Sequence, residues 1–545
     1  MLARLADERF DVLVVGGGIT GVGVALDAAS RGLRTALVER DDFASGTSSK
    51  SSKLVHGGLR YLQQGDIRLV YEALAERQRL RHLAPHLVRV LPFMIPILTR
   101  DGVMNPKVAR ALGSALWAYD LTGGARIGKL HRRLKQDDAL AHLPTMPPER
   151  LASAYLYYDA RTDDARLCLT VARTAAAHGA VVVNGASVTA LTKSGGRLTG
   201  ARVEAAGTGG TPSTEVEVRA RVVVNATGVW SDELRALDVG AHPESLRPAK
   251  GIHLTLPWDR VRNDIAVVVP VPKDKRSLFV VPWGRFTYVG TTDTDYHGPL
   301  DDFRCTKDDV EYVLRALNQA ITTDITEADI TGAWAGLRPL VRSAASGRTA
   351  DLSRHHRVDV SGDGMISITG GKLTTYRRMA ADAVDVAMVQ LGGKGRSRTK
   401  HIRLLGADGF EEPAGDGLDA HLLRRYGTLA RDLSGLIATD PDLGRPLVAG
   451  LPYVRAEAVY AGRHEMARSV TDVLSRRTRA GLLDEAASAA AARDVADLLA
   501  PELGWDAAET ARQAAAYRSL VAHESAGRRT PEATVEDALD ASLGA

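Results

Sequence analysis

The sequence predicts an α/β fold that ends in an all-helical segment, and three observations carry that prediction. Residues 10–39 (FDVLVVGGGITGVGVALDAASRGLRTALVE) run from an apolar stretch through Gly16-Gly17-Gly18-Ile19-Thr20-Gly21 into a small-residue amphipathic stretch, then through a second apolar run to Glu39. Residues 250–300 alternate apolar and polar positions through HLTL, SLFVVPW and FTYVGTT, the period of antiparallel strands with one buried face. After about residue 417, Ala, Leu and Arg recur at helix-like spacing with few strand signals.

The first unit is a Rossmann-like βαβ cradle for a dinucleotide. Gly16 permits the tight turn, Gly18 lets backbone N–H groups approach a pyrophosphate, and Gly21 lets the helix lie close on the strand. The positive end of the helix dipole then faces the phosphates. Glu39 stands where a ribose hydroxyl would donate to it, and its charge argues against a 2′-phosphate, hence against NADP.

Beyond Glu39, ASGTSSKSSKLVHGGLRYLQQGD is a Ser, Gly and Lys-rich loop leading into a helical pattern over about 66–84. Residues 85–127 are apolar and interrupted by proline, with a second helical pattern near 106–119, and they begin a separate lobe. DDARLCLTVARTAAAHGAVVVNGASVTALTKSGGRLTGARVEA predicts helix, strand and hairpin, and RARVVVNATGVWSDEL a strand with Gly228 opening a helix. Residues 365–390 repeat strand, Gly-Gly turn and helix. Two later turns, Asn225-Ala226-Thr227-Gly228 and Thr369-Gly370-Gly371-Lys372-Leu373-Thr374-Thr375-Tyr376, thus repeat the logic of the first, aiming backbone N–H groups at a ligand. Three such turns across 350 residues suit a long ligand such as FAD better than a coenzyme held by one unit.

Composition narrows the classes. At 545 residues the chain accommodates two or three domains, and 45% hydrophobic with 25% charged residues disfavours disorder. A net charge of +4 and 5% aromatic residues give no footprint for nucleic acid. Cys168 and Cys305 lie far apart outside any CxxC spacing, which fits a reducing, cytoplasmic setting. The start of the chain is not built like a signal peptide, and Asp27, Arg89, Arg110 and Asp120 break the candidate membrane spans. His355-His356 lacks partners at ligand spacing, so no metal is expected.

The fingerprint, TSSKSSKLVHGGLRYL (47–62), DDARL (163–167), NATGVW (225–230), KGIHL (250–254), VGTTDTDY (289–296), GLRPL (336–340) and GGKLTTYR (370–377) together resemble FAD-dependent, quinone-linked glycerol-3-phosphate dehydrogenases. YAGRHEMARSVTDVLSRRTRAGLLD (460–484) is similar to that family's helical C-terminal domain. The resemblance implies an FAD-binding domain of the D-amino-acid-oxidase type with an antiparallel-sheet substrate domain and a C-terminal helical domain. The expected division is 1–84, 151–245 and 345–395 for FAD, 85–150 and 246–344 for substrate, 396–417 as linker and 418–545 as helices. It also implies oxidation of glycerol 3-phosphate to dihydroxyacetone phosphate, electrons passed to membrane quinone, a homodimer, and attachment to the cytoplasmic face of the inner membrane. The rivals are a glycerophosphate oxidase using oxygen and an amino-acid-oxidising flavoenzyme.

By the same resemblance Arg60, Tyr61, Arg338, Arg354 and Lys372 line the substrate site, with Arg357 a stand-in for Arg354. Cations with forked donors suit a phosphate ester. Alcohol oxidation needs a base of near-neutral pKa for the hydroxyl proton; His253 in KGIHL is the candidate, and Arg338 the stabiliser of the developing alkoxide. FAD contacts are expected from Gly16, Gly17, Gly18, Ile19, Thr20, Gly21 and Glu39, then from Thr47, Ser48, Ser49, Lys53, Leu54 and His56. Gly228, Gly371, Leu373, Thr374 and Thr375 complete them. Residues 86–98 and the helix 106–119 are candidates for membrane contact.

Overall fold

Strand Arg9–Val15, helix Ile19–Ser30 and strand Thr35–Val38 form the expected βαβ unit. The computed structural model describes residues 1–59, 61, 66–100, 103–104, 106–207, 212–241, 244–271, 276–342 and 355–532. Arg9–Val15 pairs in parallel with Thr35–Val38 on one side and Thr214–Asn225 on the other, and Ile366–Gly370 lies parallel beyond that. Val181–Val183 extends the opposite edge, and the hairpin Ala186–Ser194/Arg197–Ala205 continues antiparallel from Thr214–Asn225. The three strand-to-helix turns, after Val15, Asn225 and Gly370, therefore open side by side at the carboxyl ends of adjacent parallel strands, where such sheets bind ligands. Ile19–Ser30 is almost wholly buried, between helices Asp164–Ala177 and Tyr376–Gln390.

The second sheet is built around Leu246–Pro257, flanked by Gly332–Val341 on one side and Phe286–Gly290 on the other. It continues through Ser277–Trp283 and Ala266–Pro270 to Arg89–Arg100 and Leu151–Arg161. Two expectations change here. Strand Leu151–Arg161, assigned from sequence to the FAD domain, pairs along its length with Arg89–Arg100 in the substrate sheet. Residues 86–98, a candidate for membrane contact, are mostly that sheet's interior: Leu91, Phe93, Met94 and Ile97 are buried. An apolar strand inside a sheet and an apolar surface segment have the same composition, and only pairing separates them.

The C-terminal helices Arg455–His464, Glu485–Leu503 and Ala507–Gly527 share a core that includes Val470, Leu474, Val495, Leu499 and Tyr517. Buried arginines join it to the first domain. Arg477 donates to both oxygens of Asp42 at 2.6 and 2.8 Å, and Arg479 to Asp164 at 3.1 Å. Residues 396–417 do not hang free as a linker: Thr399 donates to Asp27, and the Leu404 N–H to the Leu83 carbonyl at 2.8 Å.

Candidate active site

A cleft of about 400 Å³ runs past all three turns. Gly16, Gly18, Ile19, Thr20, Glu39, Thr47, Ser48, Gly228, Gly371, Lys372 and Leu373 line it. A Cβ on Gly21 would fall inside the radius of the Gly16 carbonyl oxygen, so glycine there sets how closely the helix approaches the turn. The Ile19 N–H donates to Ser48 Oγ at 2.9 Å, tying the helix start to the serine-rich loop. Glu39 accepts from the Gly17 N–H at 2.5 Å and the Asp41 N–H at 2.8 Å; burial pushes its carboxyl up to about 7 against those two donors. Beside it Arg40 lies over the Trp230 ring at 5.0 Å, and both side chains donate to Asp301 at 2.6 and 3.0 Å. This clamp at the Glu39 end had no signal in sequence, because its members come from segments 40, 230 and 301.

Not all loop residues face the cleft. Thr47 lines the cleft with its Oγ1 committed to the Leu337 carbonyl at 2.6 Å, whereas Ser49 is buried and absent from the lining. The Lys53 ammonium is turned inward, donating to the Ser49 carbonyl at 3.1 Å and to Asp164 at 3.2 Å and lying 4.5 Å from the Trp334 ring. Leu54 packs in the core with Val70 and Leu74. Neither Lys53 nor Leu54 lines the cleft. Burial, with Arg479 nearby, pushes Lys53 down to about 7 from its ordinary 10.5. Between these values the unfolded chain binds more protons than the folded one, so this site's contribution to stability rises with pH. Lys53→Met is expected to flatten the rise of Tm between pH 7 and 10; an unchanged slope overturns the assignment.

At the other end, the Lys372 ammonium sits 3.6 Å from the centre of the Tyr61 ring. Thr374 binds both backbone groups of His56, accepting from its N–H at 3.1 Å and donating to its carbonyl at 3.3 Å. Burial, reinforced by Lys372 and Arg77, lowers His56 to about 4, so the imidazole is neutral. Behind it the Gly57 N–H donates to Tyr119, whose hydroxyl donates to Asp159 at 2.6 Å; Arg77 donates to the same carboxylate at 2.6 Å. This buried support was not legible in sequence.

His253 and Arg338 lie on adjacent strands of the second sheet. Arg338 crosses over Gly251, donating to Thr291 Oγ1 at 2.9 Å, the Thr292 carbonyl at 3.0 Å and Asp293 at 3.2 Å. His253 stacks on Trp334, centroids 4.7 Å apart and planes within 12°, with Nε2 2.9 Å from Ser52 Oγ. It is 2% exposed and absent from the cleft lining, and burial, Lys53 and Arg338 hold it well below its ordinary value. The expected base of near-neutral pKa is therefore corrected to a neutral, weakly basic imidazole hydrogen-bonded to Ser52. Arg357 is turned to Asp359 at 2.7 Å and largely exposed, so it does not stand in for Arg354. Arg60 and Arg354 lie outside the described residues.

Residues 11–377 match the profile of the FAD dependent oxidoreductase family, and 397–510 that of the C-terminal domain of alpha-glycerophosphate oxidase. The chain is 43% identical to glycerol-3-phosphate dehydrogenase 2 of Mycobacterium tuberculosis, over 99% of this chain and 92% of that one. It is 37% identical to the human mitochondrial glycerol-3-phosphate dehydrogenase, over 95% and 74%. Among solved structures, the glycerol-3-phosphate dehydrogenase from Bacillus halodurans complexed with FAD superposes with a TM-score of 0.77 at 29% identity, covering 96% of each chain. L-α-glycerophosphate oxidase from Mycoplasma pneumoniae, at 17% identity and TM-score 0.55, shares the fold.

Proposed function

We propose a reaction and an electron route from one premise: the chain belongs to the FAD-dependent glycerol-3-phosphate dehydrogenase family. It oxidises the secondary alcohol of sn-glycerol 3-phosphate to dihydroxyacetone phosphate. The observation that carries this is the convergence of three glycine turns on one cleft lined by Lys372, whose ammonium lies over the Tyr61 ring and near a neutral His56.

The turns at Gly16–Gly21, Gly228 and Gly371, with Glu39 and Ser48, are the residues that would hold FAD. Bound there, FAD supplies the hydride acceptor. Lys372 and Arg338 supply the positive charge that binds phosphate and steadies the alkoxide as the hydroxyl proton leaves. Ser52 Oγ passes its proton to His253 Nε2 and takes the substrate's; the imidazole is neutral and one hydrogen bond away, and its low basicity means that the proton moves only as the carbonyl forms. His253→Asn and Ser52→Ala are each expected to lower kcat roughly 10²-fold with bound flavin retained. Near-normal turnover in both removes the relay. For the reaction itself, anaerobic glycerol 3-phosphate should bleach the flavin absorbance of the purified protein; a persistently oxidised spectrum overturns it.

The route continues to membrane quinone at the cytoplasmic face of the inner membrane, with the chain acting as a homodimer. No helix among the described residues is long and apolar enough to cross a membrane. Surface attachment is supported by Ile67, Tyr71, Trp117, Leu121 and Leu130, apolar side chains at least half exposed, on helices Ile67–Leu83 and Pro106–Leu121 and the segment that follows. Arg126 joins two of these parts by donating to the Tyr71 hydroxyl at 3.1 Å, giving the apolar-plus-basic character that anionic lipid attracts. Trp117→Ser with Leu121→Ser should reduce co-sedimentation with phosphatidylglycerol vesicles; absence of the wild type from the pellet at low salt sinks the attachment. Light scattering distinguishes one chain from two.

A further inference from the structure

Where the second sheet meets the helical domain, a cavity of about 110 Å³ is lined by Lys53, Arg89, Arg161, Arg166, Arg424 and Arg425 against a single acid, Asp163. Arg89 and Arg161 are register partners on neighbouring antiparallel strands, so their side chains leave the same face side by side. Like charges placed directly opposite in this way destabilise a sheet unless something neutralises them. The partner of Arg161 is a neutral carbonyl, that of Pro282 at 2.9 Å, and the nearest acid to Arg89 is Glu412 at 3.8 Å.

The surrounding cations do not share this surplus. Arg424, from the helical domain, is engaged by Glu412 and Asp416 at 2.8 and 2.7 Å. Arg425 is engaged by Glu457 and Asp163 at 3.0 and 3.3 Å, and Lys53 by Asp164 at 3.2 Å. Burial, joined by neighbouring guanidiniums, lowers Arg89 to about 10 and Arg161 below its ordinary value, with no carboxylate opposing it at Arg161.

We propose that this cavity binds a small tetrahedral dianion between Arg89 and Arg161: inorganic phosphate, or the phosphoryl head of a compact phosphate monoester. Each guanidinium offers paired N–H donors that match phosphate oxygens, and a phosphate monoester carries about −1.5 to −2 at neutral pH, which balances two cations. The volume accommodates the phosphoryl group. The site is separate from the substrate end, since neither Arg338 nor Lys372 lines it. It also adjoins the reaction, because Lys53 and Tyr288 line the cavity and the Tyr288 hydroxyl donates to the Ser52 carbonyl at 2.9 Å.

The test follows Tm of the FAD-loaded enzyme during titration with inorganic phosphate against sodium chloride of equal ionic strength. Phosphate is expected to raise Tm by about 2 °C or more at saturation. That rise persists in Arg338→Gln/Lys372→Gln, which silences phosphate binding at the substrate end, and disappears in Arg89→Gln/Arg161→Gln. A full rise in the latter, or its loss in the former, overturns the proposal. Replacing inorganic phosphate with 3-phosphoglycerate in the Arg338→Gln/Lys372→Gln background separates the sources: a larger rise assigns a monoester, no rise the free ion. Wild-type crystals soaked in tungstate give a readout independent of the variants' folding. An anomalous peak between Arg89 and Arg161 supports the site, and peaks confined to the substrate end overturn it.

Discussion

Arg338→Ala is expected to lower kcat/KM for glycerol 3-phosphate by roughly 10²–10³-fold, about 3–4 kcal/mol of transition-state stabilisation, with FAD content unchanged. The size follows from what the guanidinium does. Thr291, the Thr292 carbonyl and Asp293 hold it in place before substrate arrives, so in the proposed reaction no reorganisation is needed when charge develops on the alcohol oxygen. Arg338→Lys should recover only part of the loss, because a single ammonium cannot reproduce the fork. Gly251→Ala supplies a control that leaves Arg338 itself in place. A Cβ on Gly251 would collide with the guanidinium and with Thr291 Oγ1 and must displace the side chain. It is expected to cost about tenfold in kcat/KM, in the range of a displaced charged hydrogen bond. Steady-state kinetics beside the flavin-to-protein absorbance ratio checks all three, and near wild-type kcat/KM in the alanine variant at Arg338 removes it from the reaction.

Gly21→Val has the largest expected effect on the cofactor. The valine Cβ must enter space held by the Gly16 carbonyl, part of the backbone turn itself, so neither a rotamer change nor a side-chain shift relieves the contact. Overpacking of this kind costs about 1–3 kcal/mol, here paid by moving the helix start away from the turn that faces the pyrophosphate, and FAD binding is expected to weaken roughly tenfold to 100-fold. The protein should purify with little flavin while far-ultraviolet circular dichroism stays close to wild type. Gly21→Ala, with one carbon added, should fall between. Full flavin content in the valine variant would falsify the close-approach role.

The two variants address the cofactor cradle and the proposed substrate end, and these differ in how much the chain order reveals. The Gly16–Gly21 cradle is legible because glycine spacing, helix start and terminal acid all lie within 30 residues, and local backbone geometry demands them. Loop residues 47–56 are legible as a functional stretch, yet their individual roles are not. Ser48 reaches the helix start, while Lys53 turns inward to Asp164, 111 residues away. His253 shows the same gap more sharply. Its position on a strand follows from alternation, but its stacking on Trp334 and its depressed basicity depend on which strand lies beside it.

The amino-acid order determined the βαβ unit, the alternating strands, the helical tail and the three glycine turns, because each is written in local periodicity or in a backbone conformation that few residues adopt. Only the tertiary structure decided that the three turns open side by side, and that strand Leu151–Arg161 belongs to the substrate sheet. It likewise decided that 86–98 is mostly buried and that Arg89 and Arg161 face one another. The physical reason is common to all four. Strand pairing joins segments with no sequence proximity, and burial, charge balance and proton affinity are properties of the neighbours that pairing brings together.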